Sequence, residues 1–148
     1  RDRHKMADDV QNHIDIHLLH IADATAEAIK RQGLTKIGLL GTRYTMEEQF
    51  YKGRLESKHG LTVLIPSEDD REIIHRVIYD ELCLGEVKPS SKDKYTAIID
   101  KLIQSGAQCI ILGCTEISLL VRESDSSVPI FDTTLIHAVS AVEYALST

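Results

Sequence analysis

The sequence predicts an α/β protein with a four-stranded parallel sheet and helices on both faces. Three observations predict it. Four short apolar runs are spaced along the chain, each closes at a glycine, proline or turn signal, and the segments between them have helical composition. Buried strands of a parallel sheet read as such continuous apolar runs rather than as alternating patterns. With 148 residues, 43% of them hydrophobic, the chain can fill one core but not two comfortable ones.

The segment Asp15-Ile16-His17-Leu18-Leu19-His20 alternates polar and apolar residues, which suggests an additional strand or an arm. From Ala22 to Gln32 the helix formers ADATAEAIKRQ place Ala24, Ala28 and Ile29 on one face, and Gly33 is set to end the helix. Ile37 to Gly41 is the first strand. The polar stretch Thr42 to Met46 reads as a loop, and Glu47 to His59 as a helix. Leu61 to Ile65, closed by Pro66, is the second strand. Glu68-Asp69-Asp70 opens a helix through about Leu84, with carboxylates at the positive end of its dipole and Gly85 as its stop. Ser90 to Asp93 supply the next cap, and Tyr95, Ile98, Ile99, Leu102 and Ile103 recur at helical spacing up to Gly106. Cys109 to Gly113 is the third strand. A turn at Ser126 to Val128 leads into Pro129-Ile130-Phe131, the fourth, and Thr133 or Thr134 caps a last helix through Ala145. On this reading residues 1–21 stand apart from a single α/β domain of residues 22–148.

A net charge of −6 and a pI near 5.6 give no general attraction to phosphate backbones or anionic lipid, so neither nucleic acid nor a membrane is an expected partner. No run approaches the roughly 20 apolar residues that span a bilayer, and the charged start lacks the apolar segment of a signal peptide. A soluble cytoplasmic protein is expected. Three cysteines without a secretory signal suggest reduced thiols rather than a disulfide framework.

In open parallel sheets ligands gather outside the carboxyl ends of the strands, so the loops starting at Gly41, Pro66, Gly113 and Asp132 carry the functional interest. Gly113-Cys114-Thr115-Glu116 is the sharpest signal among them. A cysteine between a strand exit and a helix start faces backbone N–H donors, which lower a thiol's pKa and can hold a carboxylate. The plainer reading is a small buried residue at a tight junction. Cys109, inside the strand, fits core packing. Gly41-Thr42-Arg43-Tyr44-Thr45 has hydroxyls and amides able to meet an anion, without the glycine and lysine pattern of a phosphate loop. His13, His17 and His20 would line one face of a helix and suggest a metal, but a strand at that point would scatter them, and no metal site is expected. His137 could reach the edge that carries Cys114, and Asp132-Thr133 reads first as a helix cap.

Taken in order, Leu40-Gly41-Thr42, Ile78-Tyr79 before Gly85, Gly113-Cys114-Thr115-Glu116-Ile117 and Phe131-Asp132-Thr133 resemble the aspartate/glutamate racemases. The resemblance runs from about residue 4 to the C-terminus. It is closest to bacterial members with HIADAT and GTRYTM segments, present here as His20 to Thr25 and Gly41 to Met46. It implies one half of a fold built from two similar α/β halves, and a reaction that needs neither a metal nor another cofactor. One cysteine from each half flanks the substrate Cα, one thiolate removing the α-proton while the opposite thiol delivers another. It makes Cys114 the catalytic residue of this half. Thr42, Thr45, Thr115 and Glu116 become the substrate-binding set for a small acidic amino acid.

Two departures from the family pattern accompany it. His4 to Val10 resembles the helix after the first catalytic cysteine, yet Arg1-Asp2-Arg3 stands where that cysteine's motif should end, so residues 1–21 read as a remnant of the preceding half. Many relatives carry a lysine near the position of Cys83, which reads here as a neighbour of the site rather than a replacement base. The expected activity is therefore that of a cofactor-independent amino-acid racemase with only the second cysteine in this chain, weak or absent in the chain alone. The alternatives are a truncated dicarboxylate-binding relic without turnover and a single-cysteine, decarboxylase-like enzyme. Apolar surface left without the first half points to a homodimer.

Overall fold

The protein is described here by a computed structural model, which covers residues 2–47, 49–133, 136 and 146, with side chains from residue 16 onward except at 18 and 50. It begins with one long helix, α1 (Asp2–Arg31). The strand or arm expected at Asp15 to His20 is part of that helix, and α1 passes through position 22 without a break. Helical hydrogen bonding propagates at little cost once started, so a short alternating stretch joined to a strong helix former continues it. The buried stripe of α1 is Ala22, Thr25, Ala26 and Ile29, at i, i+3, i+4 and i+7. That face is rotated from the one expected, with Ala24 half-buried beside it.

The sheet comprises β1 (Lys36–Leu40), β2 (Thr62–Leu64), β3 (Cys109–Leu112) and β4 (Ile130–Asp132). All pairings are parallel, in the spatial order β2-β1-β3-β4, with Ile37 opposite Cys109 and Leu40 opposite Leu112. Side chains alternate between two cores, as the pleat requires. Ile37, Leu39, Val63, Cys109, Ile111 and Phe131 meet α1 and α3 (Gln49–Ser57) on one face. Leu40, Ile110 and Leu112 meet α4 (Glu68–Asp80) and α5 (Pro89–Gln104) on the other. The expected class, with helices on both faces, is what the chain adopts.

Local chemistry explains where the elements begin and end. Ser67 caps α4 by accepting from the Asp70 N–H at 3.3 Å, and three carboxylates fill the first turn. The helix stops at Asp80, short of the expected Leu84. A 3-10 turn, Leu82–Leu84, follows, closed by Gly85 at φ 79°, where a glycine avoids the left-handed penalty. Ser90 to Asp93 do not cap α5. Pro89 takes the first turn, where its missing N–H costs nothing, and the Ser91 hydroxyl instead donates to Glu81 at 2.5 Å. The loop expected at Thr42 to Met46 is largely a short helix, α2 (Arg43–Glu47), because Thr42 can cap it. The Tyr95 hydroxyl ties α5 to α4 by donating to the Ile74 carbonyl at 2.7 Å. The expected last helix through Ala145, with His137 and the alternative cap Thr134, lies outside the described residues.

Candidate active site

The strand order changes direction between β1 and β3, since β2 lies to one side of β1 and β3 to the other. At such a switch point the two connections leave in opposite directions and open a crevice at the carboxyl edge. Gly41 and Gly113 stand there side by side. The Gly113 N–H donates to the Leu40 carbonyl at 2.7 Å, so the two exits are stitched together where the sheet ends. Both are glycines for a steric reason. A Cβ on Gly41 would lie 3.0 Å from the Thr45 Cβ, and one on Gly113 would lie 3.0 Å from the Thr45 Cγ2 and 3.1 Å from the Leu40 oxygen.

Thr45 therefore sits directly over both exits. Thr42 holds it there: its hydroxyl accepts from the Thr45 N–H at 3.3 Å, and the two hydroxyls are 3.3 Å apart. Both threonines are half-buried. Beyond Gly113, Cys114 is extended and heads a 3-10 helix, Thr115–Leu119, without a side-chain cap bond of its own. Its thiol is half-buried, against the core on one side and the edge on the other. The structure thus gathers Thr42, Thr45, Cys114, Thr115 and Glu116 at the ends of two adjacent strands.

The electrostatics differ from the expectation that backbone donors depress the thiol's pKa. The Cys114 Sγ–H donates to the Glu116 Oε2 at 2.9 Å, and the Thr115 hydroxyl donates to the same oxygen at 2.7 Å. Burial, seconded by that carboxylate, pushes the Cys114 thiol up from 9.0 to about 12. The two donors hold the Glu116 carboxyl below its usual range. A five-residue 3-10 helix offers too little aligned backbone to outweigh a carboxylate at hydrogen-bond distance. At neutral pH the pair is a thiol and a carboxylate.

Three neighbours carried weaker signals. Thr133, read as a cap, is buried and donates its hydroxyl to the Leu112 carbonyl at 2.9 Å, fastening β4 beside Gly113. His75 accepts from the Arg43 N–H at 3.0 Å, joining α4 to α2, and its ring packs at 4.7 Å from that of Tyr79, tilted by 49°; nothing in the spacing of α4 marks it. Cys83 is exposed on the 3-10 turn that packs against the Cys114 helix. Cys109 has no exposure at all, and burial raises its thiol to about 12, in keeping with a core role. His17 and His20 are exposed on α1, and among the described residues no group of three or more histidines, cysteines or acids could hold a metal ion. A polar hollow of about 310 Å³ lined by Arg43, Glu47, Glu68, Asp69 and Glu72 lies farther along the same edge. Its acidic lining does not suit a dicarboxylate.

The family profile of the Asp/Glu/Hydantoin racemases matches residues 2–141. The chain belongs to that family. Among solved structures, it superimposes with a TM-score of 0.84 and 61% identity on a candidate Asp/Glu racemase from Yersinia pestis, covering 86% of this chain and 56% of that one. An aspartate racemase homologue from Pyrococcus horikoshii OT3 matches with a TM-score of 0.78 and 38% identity over 84% of this chain and 54% of its own. Picrophilus torridus aspartate racemase, 23% identical with a TM-score of 0.66, shares the fold over 84% of this chain and 51% of its own. A Pectobacterium carotovorum protein of uncharacterised function, encoded in the pnlA 3′ region, is 27% identical over 82% of this chain and 79% of its own length. The chain thus spans about half the length of these solved racemase-family structures. No helix among the described residues is long and apolar enough to cross a membrane.

Proposed function

We propose that this racemase-family chain supplies one of the two proton-transfer groups of a cofactor-independent aspartate/glutamate racemase, and that Cys114 is that group. The observation that supports it is a half-buried, protonated thiol at the exit of β3, at hydrogen-bond distance from a carboxylate, with two threonines set over the glycine exits of β1 and β3. Thr42, Thr45 and Thr115 offer hydroxyls to substrate carboxylates. The Glu116 carboxylate suits the substrate ammonium, whose positive charge offsets the field that disfavours a Cys114 thiolate.

In this scheme the thiol delivers its proton to one face of the planar carbanion after a group on the opposite face has taken the α-proton. The reverse reaction exchanges the roles. Hydrogen bonds to the carboxylate and exclusion of water lower the barrier to removing a weakly acidic proton. The opposing group belongs to a second α/β unit across the crevice. Tyr44, Leu84 and Leu119, all large and exposed near this edge, are surface for such a unit, and a second copy of the chain covers them in a homodimer. A reducing cytoplasm keeps the thiol free.

The test is proton NMR of D- and L-aspartate and glutamate in deuterated water with the purified chain, alongside light scattering. One proton-transfer thiol per chain predicts slow or no α-deuterium incorporation from monomer, and the homodimer predicts a dimeric mass at micromolar concentration. Rapid exchange with inversion from a species of monomeric mass would contradict the two-group scheme, and a monomeric mass at that concentration would refute the homodimer.

A further inference from the structure

We propose that Cys83 and Cys114 form a reversible disulfide that withdraws the edge thiol under peroxide. The turn Leu82–Leu84 packs against the 3-10 helix that Cys114 heads, and Leu82, Ile117 and Cys114 share one apolar cluster. Leu82 anchors that turn inward, which leaves Cys83 exposed at its outer side. The charge of a Cys83 thiolate is felt at Cys114 across this contact. A disulfide needs Cα atoms within about 7 Å, and the turn that would adjust is held by local backbone bonds, from the Leu84 and Glu86 N–H groups to the Glu81 carbonyl and from the Gly85 N–H to the Leu82 carbonyl. Residues 83–90 are all exposed, and their turn ends at a left-handed glycine, Gly85. Cys109, five positions before Cys114 in the chain, is walled off inside the sheet and takes no part.

The chemistry closes with hydrogen peroxide as oxidant. The Cys83 thiolate attacks one peroxide oxygen and the O–O bond breaks, giving a sulfenic acid and hydroxide, which takes up the proton Cys83 released. The Cys114 sulfur then attacks the Cys83 sulfur, and the S–O bond breaks. The leaving hydroxide takes the Cys114 proton, which already points at Glu116, and departs as water. Two thiols lose two electrons, and one peroxide becomes two waters. None of this depends on the racemase chemistry, so the failure of either reading leaves the other standing.

The experiment treats the full chain with hydrogen peroxide, alkylates what remains, and digests without reductant for mass spectrometry. The expected product is a cross-linked pair of peptides holding Cys83 and Cys114, lighter by two hydrogens and separated by dithiothreitol, with Cys109 intact. In Cys83→Ser the same treatment should leave Cys114 as alkylatable as in untreated protein. Glu116→Gln, which removes the carboxylate that disfavours the Cys114 thiolate, should speed cross-linking. Sulfinic acid at Cys83 with Cys114 still free, Cys83 joined only to a second chain, or equal loss of Cys114 in Cys83→Ser would overturn the proposal.

Discussion

The two ends of β3 are built for different purposes. At its start, the Gln108 side-chain oxygen accepts from the Thr35 and Lys36 N–H groups at 2.9 and 3.1 Å, while the Gln108 N–H donates to the Lys36 carbonyl at 2.8 Å. These bonds close the sheet at this end, and the adjoining Cys109 is sealed within it. At its end the closing bond is made by Gly113, and the thiol of the next residue, Cys114, donates to the Glu116 side chain while its carbonyl accepts from the Ile117 N–H at 3.3 Å. Both thiols are raised to about 12 by burial, so the raised value alone does not mark a functional cysteine. What separates them is position: one lies inside the ladder and one just beyond it, at the point where neighbouring strands part.

The contrast can be broken by substitution. The largest effect is expected from Cys114→Ser, which should reduce any α-hydrogen exchange about 10²–10⁴-fold while shifting the melting temperature little, because the residue lies outside the ladder. Calorimetry and NMR exchange together check it. Gly113→Ala places a Cβ against Thr45 and the Leu40 carbonyl and should cost about 1–3 kcal/mol by denaturant titration, since backbone cannot yield as a side-chain tip can. At the other end, Gln108→Ala should cost about 0.5–1.5 kcal/mol, because water can replace part of what the exposed amide provides, and should leave Cys114 alkylation unchanged. The smallest effect is a pH slope. Both thiols are protonated in the fold up to about 12 and ionise near 9.0 when unfolded, so their contribution to stability is complete below pH 9 and is lost as pH rises toward 12. The difference in melting temperature between wild type and Cys109→Ala should be constant below pH 9 and change only above it. Equal slopes would show that the Cys109 thiol titrates normally.

Much of this was legible in the residues. The strands announced themselves because a parallel strand is buried on both faces and reads as an unbroken apolar run, as at Cys109 to Leu112. The stop at Gly33 was equally plain, whereas Gly85, expected to end the helix from Glu68, closes a separate 3-10 turn after that helix has stopped at Asp80. Capping chemistry was harder to read, because Thr42, Ser67 and Ser90 look alike in sequence and only tertiary placement decides which hydroxyl meets a helix. The charge state of Cys114 was hidden for a related reason. A glutamate two residues on can point at solvent or back at the thiol, and the short 3-10 turn turns it back. Thr133 and His75 act through contacts across β3 and α2 that no local pattern encodes.

The central claim is that the Cys114 thiol faces a crevice that admits a small acidic amino acid. Iodoacetamide alkylation, with each cysteine followed by mass spectrometry in the presence and absence of D- and L-aspartate and glutamate, tests it most directly. The account predicts that at least one of these acids slows labelling of Cys114 while Cys83 reacts at an unchanged rate and Cys109 stays unlabelled. Labelling of Cys114 at the same rate with and without saturating amounts of all four would contradict it.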